Sequence, residues 1–141
     1  MLVFDTDSLT HAQYGHALLQ EKMRHVSSDQ LFTTSVAAEE VLKGRLAYLH
    51  RNHNSPKSIV GHADLVATLA YLHEWKILLY DDGAHLLLAT LKKKRIRIGS
   101  QDLRIAAITL YHGFTLITCN RGDFMHVPNL KIEDWTISPR P

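Results

Sequence analysis

Acidic side chains recur where apolar runs end. Asp5 and Asp7 follow the apolar residues 1–4, and Glu39 and Glu40 follow the run at 31–35. Asp81 and Asp82 follow 77–80, and Asn120 and Asp123 follow 115–118. Asp102 opens the helical pattern that leads into the last of these runs. Hard divalent cations take oxygen ligands, and Mg²⁺ is usually held by one or two carboxylates together with a substrate phosphate. One acid at a strand end is ordinary, whereas several on the same side of a sheet point to a metal site. The competing reading is helix caps and solvated charge. It fits Asp81 and Asp82 best. It fits Asp5 worst, because an acid that completes a core strand must be partnered. For Glu39 and Glu40, taken alone, a favourable interaction with a helix N-terminus is the better account.

The elements that must position these groups are legible in the hydrophobic pattern. In 99–126, Leu103, Ala106, Ala107 and Leu110 recur at helical spacing, and Gly113 stands where a left-handed C-cap would end the helix. Thr115-Leu116-Ile117-Thr118 reads as a buried strand, and residues 119–123 as a polar turn. In an open α/β sheet, ligands bind outside the carboxyl ends of the strands, which is where Asn120 and Asp123 would lie. Upstream, residues 1–4 form a strand, with Asp7 or Ser8 capping the helix that Tyr14-Gly15 breaks. A helix follows over 16–26, then a turn at 27–29, a strand over 31–35 and a helix introduced by Ser35. Gly44 inside that helix implies close approach of a neighbouring element. Residues 51–56 are a polar break and the best place for a long connection. A long helix over 57–75 carries apolar stripes broad enough to pack on the sheet and on a further helix or subunit. A strand at 77–80, a helix to about Lys94, an extended link at 95–98 and a last strand at 130–132 complete the series. The order β-α-α-β-α-α-β-α-α-β-β implies a mainly parallel sheet with helices on both faces.

The 141 residues suit one domain with a sizeable core. The net charge of +2 neither demands nor excludes nucleic acid, but the basic residues cluster as Lys92, Lys93, Lys94, Arg95 and Arg97. Cations at a helix C-terminus explain that run equally well. A single cysteine, Cys119, rules out an intrachain disulfide, and its setting suits a small buried thiol better than a nucleophile. No signal peptide or membrane-spanning run is visible, so a cytoplasmic location is expected. Among ten histidines, only His50 and His53 form a helix-compatible close pair, and no third ligand lies near them.

Asp102-Leu103-Arg104-Ile105-Ala106-Ala107, followed by Thr115-Leu116-Ile117-Thr118-Cys119-Asn120-Arg121-Gly122-Asp123-Phe124, resembles the PIN domain, a family of metal-dependent nucleases, and in particular its VapC-like toxins. Val127-Pro128-Asn129-Leu130 and Glu133-Asp134-Trp135 continue the likeness, Asp5-Thr6-Asp7 matches the family's first acid, and Glu40 with Gly44 matches its second. The resemblance covers nearly the whole chain. It departs at Asp7, where asparagine is commoner, and at Cys119, where arginine is commoner.

The resemblance implies a three-layer α/β/α sandwich with a mainly parallel sheet of four to five strands, a single nuclease domain over 1–141 and a loose tail from 136. It implies a Mg²⁺- or Mn²⁺-dependent endoribonuclease. Asp5, Asp102 and Asp123 would be metal ligands, and Glu40 would orient water. Thr6, Asp7 and Asn120 would support them, and Asp7 would add negative charge to the site. Arg45, Arg104 and Arg121 lie beside these acids in sequence and could contact RNA phosphates. An antitoxin protein and a second copy of the chain are the partners it implies. Two other readings stay open. Asp5-Thr6-Asp7 imitates the D-x-D of haloacid-dehalogenase-like phosphatases, although Leu9 stands where that motif wants threonine or valine. The fold could also serve as a non-catalytic binding module.

Overall fold

The strands are β1 (Leu2–Phe4), β2 (Leu31–Thr34), β3 (Lys76–Leu78), β4 (Thr115–Ile117) and β5 (Lys131–Glu133). They pair in parallel throughout, in the order β3-β2-β1-β4-β5. Parallel neighbours cannot be joined by tight turns, so helical crossovers connect them. These helices are α1 (Thr6–Gln13), α2 (Ala17–Arg24), α3 (Ser35–Arg51), α4 (Lys57–His73), α5 (Asp82–Lys93), α6 (Ser100–His112) and the single turn α7 (Arg121–Phe124). The computed structural model describes residues 1–139. Of the expected tail, Arg140 and Pro141 lie outside the described residues.

β1 is central and Val3 and Phe4 are fully buried, as a strand covered on both faces requires. The Phe4 ring lies 5.0 Å from that of Trp75 and 5.7 Å from that of Trp135. The chain builds β1, β2 and β3 outward in one direction, then returns to place β4 on the other side of β1. The reversal makes a crevice between the carboxyl ends of β1 and β4. Phe4 pairs with Ile117, so Asp5 and Thr118 leave the sheet side by side, and the Asp5 amide donates to the Ile117 carbonyl at 3.2 Å.

Several elements depart from expectation. Asp5 itself caps α1, its Oδ1 accepting from the Ser8 amide at 2.9 Å, in place of Asp7 or Ser8. Thr34 caps α3, which begins at Ser35, so Glu39 and Glu40 lie beyond the first turn where the helix dipole acts most strongly. The 51–56 break is short, because α3 runs to Arg51 and α4 starts at Lys57. Close approach of α3 and α4 occurs at Gly61, where a Cβ would come within 2.8 Å of Leu49 Cδ2, while Gly44 has nothing near it. The turn at 119–123 contains α7. Residues 136–137 are held: Thr136 donates to Asp134 Oδ1 through its amide (2.8 Å) and hydroxyl (2.6 Å), and Lys22 Nζ donates to the Ile137 carbonyl at 3.2 Å.

Gly113 ends α6 at φ 69°, as its position in the sequence suggests. No atom crowds its missing Cβ, so replacement costs backbone strain alone. Gly113→Ala is expected to destabilise by about 1 kcal/mol and Gly113→Asn by less, read from the midpoint of urea unfolding.

Candidate functional site

At the crevice, Asp5, Thr6, Asp7, Glu40, Asp102 and Asn120 line a pocket of about 200 Å³. Each arrives from a different constraint. Asp5 is only 3% exposed because it completes the central strand. Burial pushes its carboxyl up, hydrogen bonds from Thr118 and the Ser8 amide pull it back, and neighbouring Asp7 raises it. Thr6, the first residue of α1, donates from Oγ1 to Glu40 Oε1 at 2.7 Å and so ties α1 to α3. Asp102 sits in the first turn of α6. Asn120 donates from Nδ2 to Asp123 Oδ2 at 2.9 Å, and its amide donates to Thr118 Oγ1 at 2.9 Å.

Asp102 reports the electrostatics of the group. Its pKa is raised to about 6, first by burial, then by the negative charges of Glu40, Asp5, Asp7 and Asp123. The ion pairs among the described residues, Arg24–Glu21, His25–Glu21 and Lys76–Asp29, leave these acids without a basic partner. Like charges have therefore been brought together with hydroxyl and amide support but no internal cation. The donors are hard oxygens, the chemistry that fits a divalent cation such as Mg²⁺. Among the described residues no three His, Cys, Asp or Glu side chains are grouped closely enough to hold a metal ion between them.

The other sequence candidates lie elsewhere. Asp81 caps α5 through the Ala84 amide (3.0 Å), and Asp82 is exposed in its first turn. Glu39 turns into a neighbouring pocket with Arg104. Arg45 donates from Nε to Thr68 Oγ1 at 3.0 Å and also hydrogen-bonds Tyr14, so its guanidinium braces helices and does not line the acidic pocket. Arg121 faces a separate cleft with Glu133, Asp134 and Trp135. Burial pushes the Cys119 thiol up, with Asp5, Asp7 and Asp134 adding to it, which keeps it a thiol and a poor nucleophile. The sequence offers Ser8 only as a helix cap and Thr118 only as a strand residue, whereas in the structure both hydrogen-bond Asp5. Thr118 was detectable only as a hydroxyl at the end of an apolar run, because the register that sets it beside Asp5 belongs to the fold. Ser8 was detectable only as the third residue after a capping acid.

No family profile matches the chain. A 42-residue stretch is 43% identical to ribonuclease VapC1 of Rickettsia felis, and this match spans 30% of the chain and 31% of that protein. Whole-chain likeness comes from solved structures. The VapBC2 complex of Rickettsia felis bound to a promoter DNA fragment has a chain that superimposes with a TM-score of 0.74 at 20% identity, over 95% of this chain and 98% of its own. VapBC-1 of nontypeable Haemophilus influenzae gives 0.75 at 22%, over 96% and 98%. VapBC-5 of Mycobacterium tuberculosis gives 0.66 at 27%, over 94% and 96%.

The chain has the PIN-domain fold. The five parallel strands and their crossover helices are thus an architecture shared with those proteins along nearly the full chain. Within this VapC-like fold the acids occupy the switch point, the place where an α/β sheet offers a ligand site. No helix among the described residues is long and apolar enough to cross a membrane.

Proposed function

We propose that the chain is a divalent-metal-dependent endoribonuclease and the toxin half of a toxin–antitoxin pair. The observation that carries this reading is the uncompensated cluster of acids at the switch point, with Asp102 raised to about 6 by its neighbours. The VapC1 relative is a ribonuclease, and the structural relatives are VapBC complexes, which supports RNA as substrate and an antitoxin as partner.

Asp5, Asp102 and Asp123 are the residues that would hold Mg²⁺ or Mn²⁺, with Asp7 at the pocket rim. Bound there, the ion would lower the pKa of a water and neutralise charge on the scissile phosphate. Glu40 accepts from Thr6 on one oxygen, which leaves the other to orient an attacking water. Asn120 fixes the Asp123 carboxylate in the same way. Hydrolysis then forms one bond from water oxygen to phosphorus and breaks one from phosphorus to a ribose oxygen, with no covalent enzyme intermediate. Arg121, in the adjacent cleft, suits a backbone phosphate, Arg104 lines the pocket next to the acids, and Arg45 is already engaged.

Two surfaces agree with protein partners. An apolar groove of about 810 Å³, lined by Ala38, Leu42, Leu46, Ala47 and Ile77, continues from Ser35 and Glu39 beside the acids and would seat an antitoxin segment. Ile59, Val66 and Leu69 stand exposed on α4, a face that a second copy of the chain would cover.

Purified protein mixed with a heterogeneous RNA pool is expected to cleave with Mg²⁺. Cleavage should stop with EDTA and in Asp5→Ala, with folding checked by circular dichroism. EDTA-resistant cleavage, or full activity in Asp5→Ala, would overturn the metal-nuclease reading.

A further inference from the structure

Two pairs of chain neighbours straddle the site. On α3, Glu40 faces the acidic pocket while Glu39 faces the next one; on α6, Asp102 and Gln101 divide in the same way. Successive helical residues point about 100° apart, which lets each helix offer one side chain to each of two adjacent pockets. This second pocket, about 410 Å³, is lined by Ser35, Val36, Glu39, Tyr80, Gln101 and Arg104.

Its chemistry differs from that of the acidic pocket. Arg104 Nη1 donates to Gln101 Oε1 at 3.0 Å and to the Ser100 carbonyl at 3.4 Å, and Gln101 Nε2 donates to Glu39 Oε2 at 3.4 Å. The Arg104 guanidinium lies 6.0 Å from the centre of the Tyr80 ring. Tyr80 is itself fixed, its amide donating to Ser35 Oγ at 3.1 Å and its hydroxyl hydrogen-bonding His85 Nδ1 at 2.7 Å. The pocket therefore holds a planar aromatic wall, a forked cationic donor and a carboxylate acceptor, linked by an amide. Single-stranded RNA is read in this manner, with a splayed base stacked on an aromatic or guanidinium plane and hydrogen-bonded along its edges.

We infer that this pocket is a nucleobase subsite selective for guanine, reading the nucleotide next to the scissile phosphate; the inference rests on the ribonuclease reading above. Guanine presents O6 and N7 as acceptors, the pair that an arginine fork matches. Its N1–H and N2–H₂ are adjacent donors, which the Glu39 carboxylate can accept. Adenine offers an amino donor where guanine has O6, so it would oppose Arg104. Cytosine and uracil have no O6/N7 acceptor pair for the Arg104 fork. Tyr80 supplies stacking for any base, and Glu39 with Arg104 supplies the selection.

The test has two arms. In the first, guanosine, adenosine, cytidine and uridine 5′-monophosphates are titrated separately into the protein without metal. The Gln101 side-chain amide and Arg104 Nε–H signals are followed by NMR. Guanosine monophosphate is expected to saturate these signals at about tenfold lower concentration than the others, and Glu39→Gln should remove that advantage. Equal titration by all four nucleotides overturns the inference. In the second arm, cut sites are mapped in a randomised single-stranded RNA pool with Mg²⁺. Wild type should cut beside guanine. Arg104→Ala and Glu39→Gln should flatten the preference by about tenfold, and Arg104→Lys, which keeps charge but loses the fork, should flatten it too. Uniform weakening at every site without a change in preference assigns Arg104 to phosphate and overturns the inference. Guanine-selective binding without any cleavage supports the subsite and counts against the nuclease reading. Mg²⁺-dependent cleavage without guanine selectivity does the reverse.

Discussion

Asp102→Asn is expected to abolish RNA cleavage and, at neutral pH, to make the protein more stable. Both effects follow from one cause. Asp102 is half buried among Glu40, Asp5, Asp7 and Asp123, and its pKa is raised to about 6. In the unfolded chain it would titrate near 3.8. The folded protein therefore binds the proton more tightly between those values, and stability falls as pH rises through that window. Above about pH 6 the full penalty is present. Asparagine removes one negative charge at constant shape and should recover about 1 kcal/mol, a figure discounted because solvent screens a half-exposed group. For a chain of this size that raises Tm by roughly 2–4 °C. On the proposed reading, in which Asp102 would hold the ion, cleavage should fall by about a thousandfold or more, because several kcal/mol of transition-state stabilisation would be lost with it. Thermal melts at pH 5 and pH 7.5, with and without Mg²⁺, check the account. Wild type should gain stability on Mg²⁺ addition at pH 7.5, and the variant should gain little. A variant less stable than wild type at pH 7.5 would contradict the repulsion argument.

Phe4→Ala should have the largest effect on stability. Phe4 has no exposed surface and sits between Trp75 and Trp135, which come from distant parts of the chain. Truncating a buried phenylalanine costs about 3–5 kcal/mol, against a total of roughly 5–15 for a domain. A fall in Tm of roughly 10 °C is the expected result, and Phe4→Leu should keep most of the stability. The site should suffer with the core, since Phe4 immediately precedes Asp5 on the central strand. Where Phe4→Ala remains folded, its Mg²⁺-dependent cleavage should be weaker than that of Phe4→Leu. A Tm within 3 °C of wild type would show that the two tryptophans repack around the gap.

The elements were readable because each carries its own local reason. Leu103, Ala106 and Ala107 repeat at helical spacing and are buried on α6 as that spacing requires. Gly113 adopts the left-handed conformation that the end of the pattern calls for. The short apolar runs became parallel strands, buried at β1 and β4 and largely exposed at the edge strands β3 and β5. Asp5, Glu40, Asp102 and Asn120 do meet in one pocket, with Asp123 held beside them by Asn120. Local pattern was weaker where a contact depends on a distant partner. Gly44 and Gly61 are both glycines inside helices, yet only Gly61 lies where α3 and α4 close on each other. Arg45 looks like a phosphate ligand beside Glu40 in sequence, but its side chain reaches Thr68 and Tyr14.

The amino-acid sequence by itself determined the alternation of strands and helices, the stop at Gly113 and the supply of acids at strand ends, because periodicity, capping and side-chain chemistry act over a few residues. Only the tertiary structure decided which acids share a pocket. Sheet order and register set Asp5 beside Thr118, and the crossing of α3 and α6 sent Glu40 and Asp102 to one side and Glu39 and Gln101 to the other. Those outcomes depend on how elements far apart in the chain pack together, which no local stretch of residues specifies.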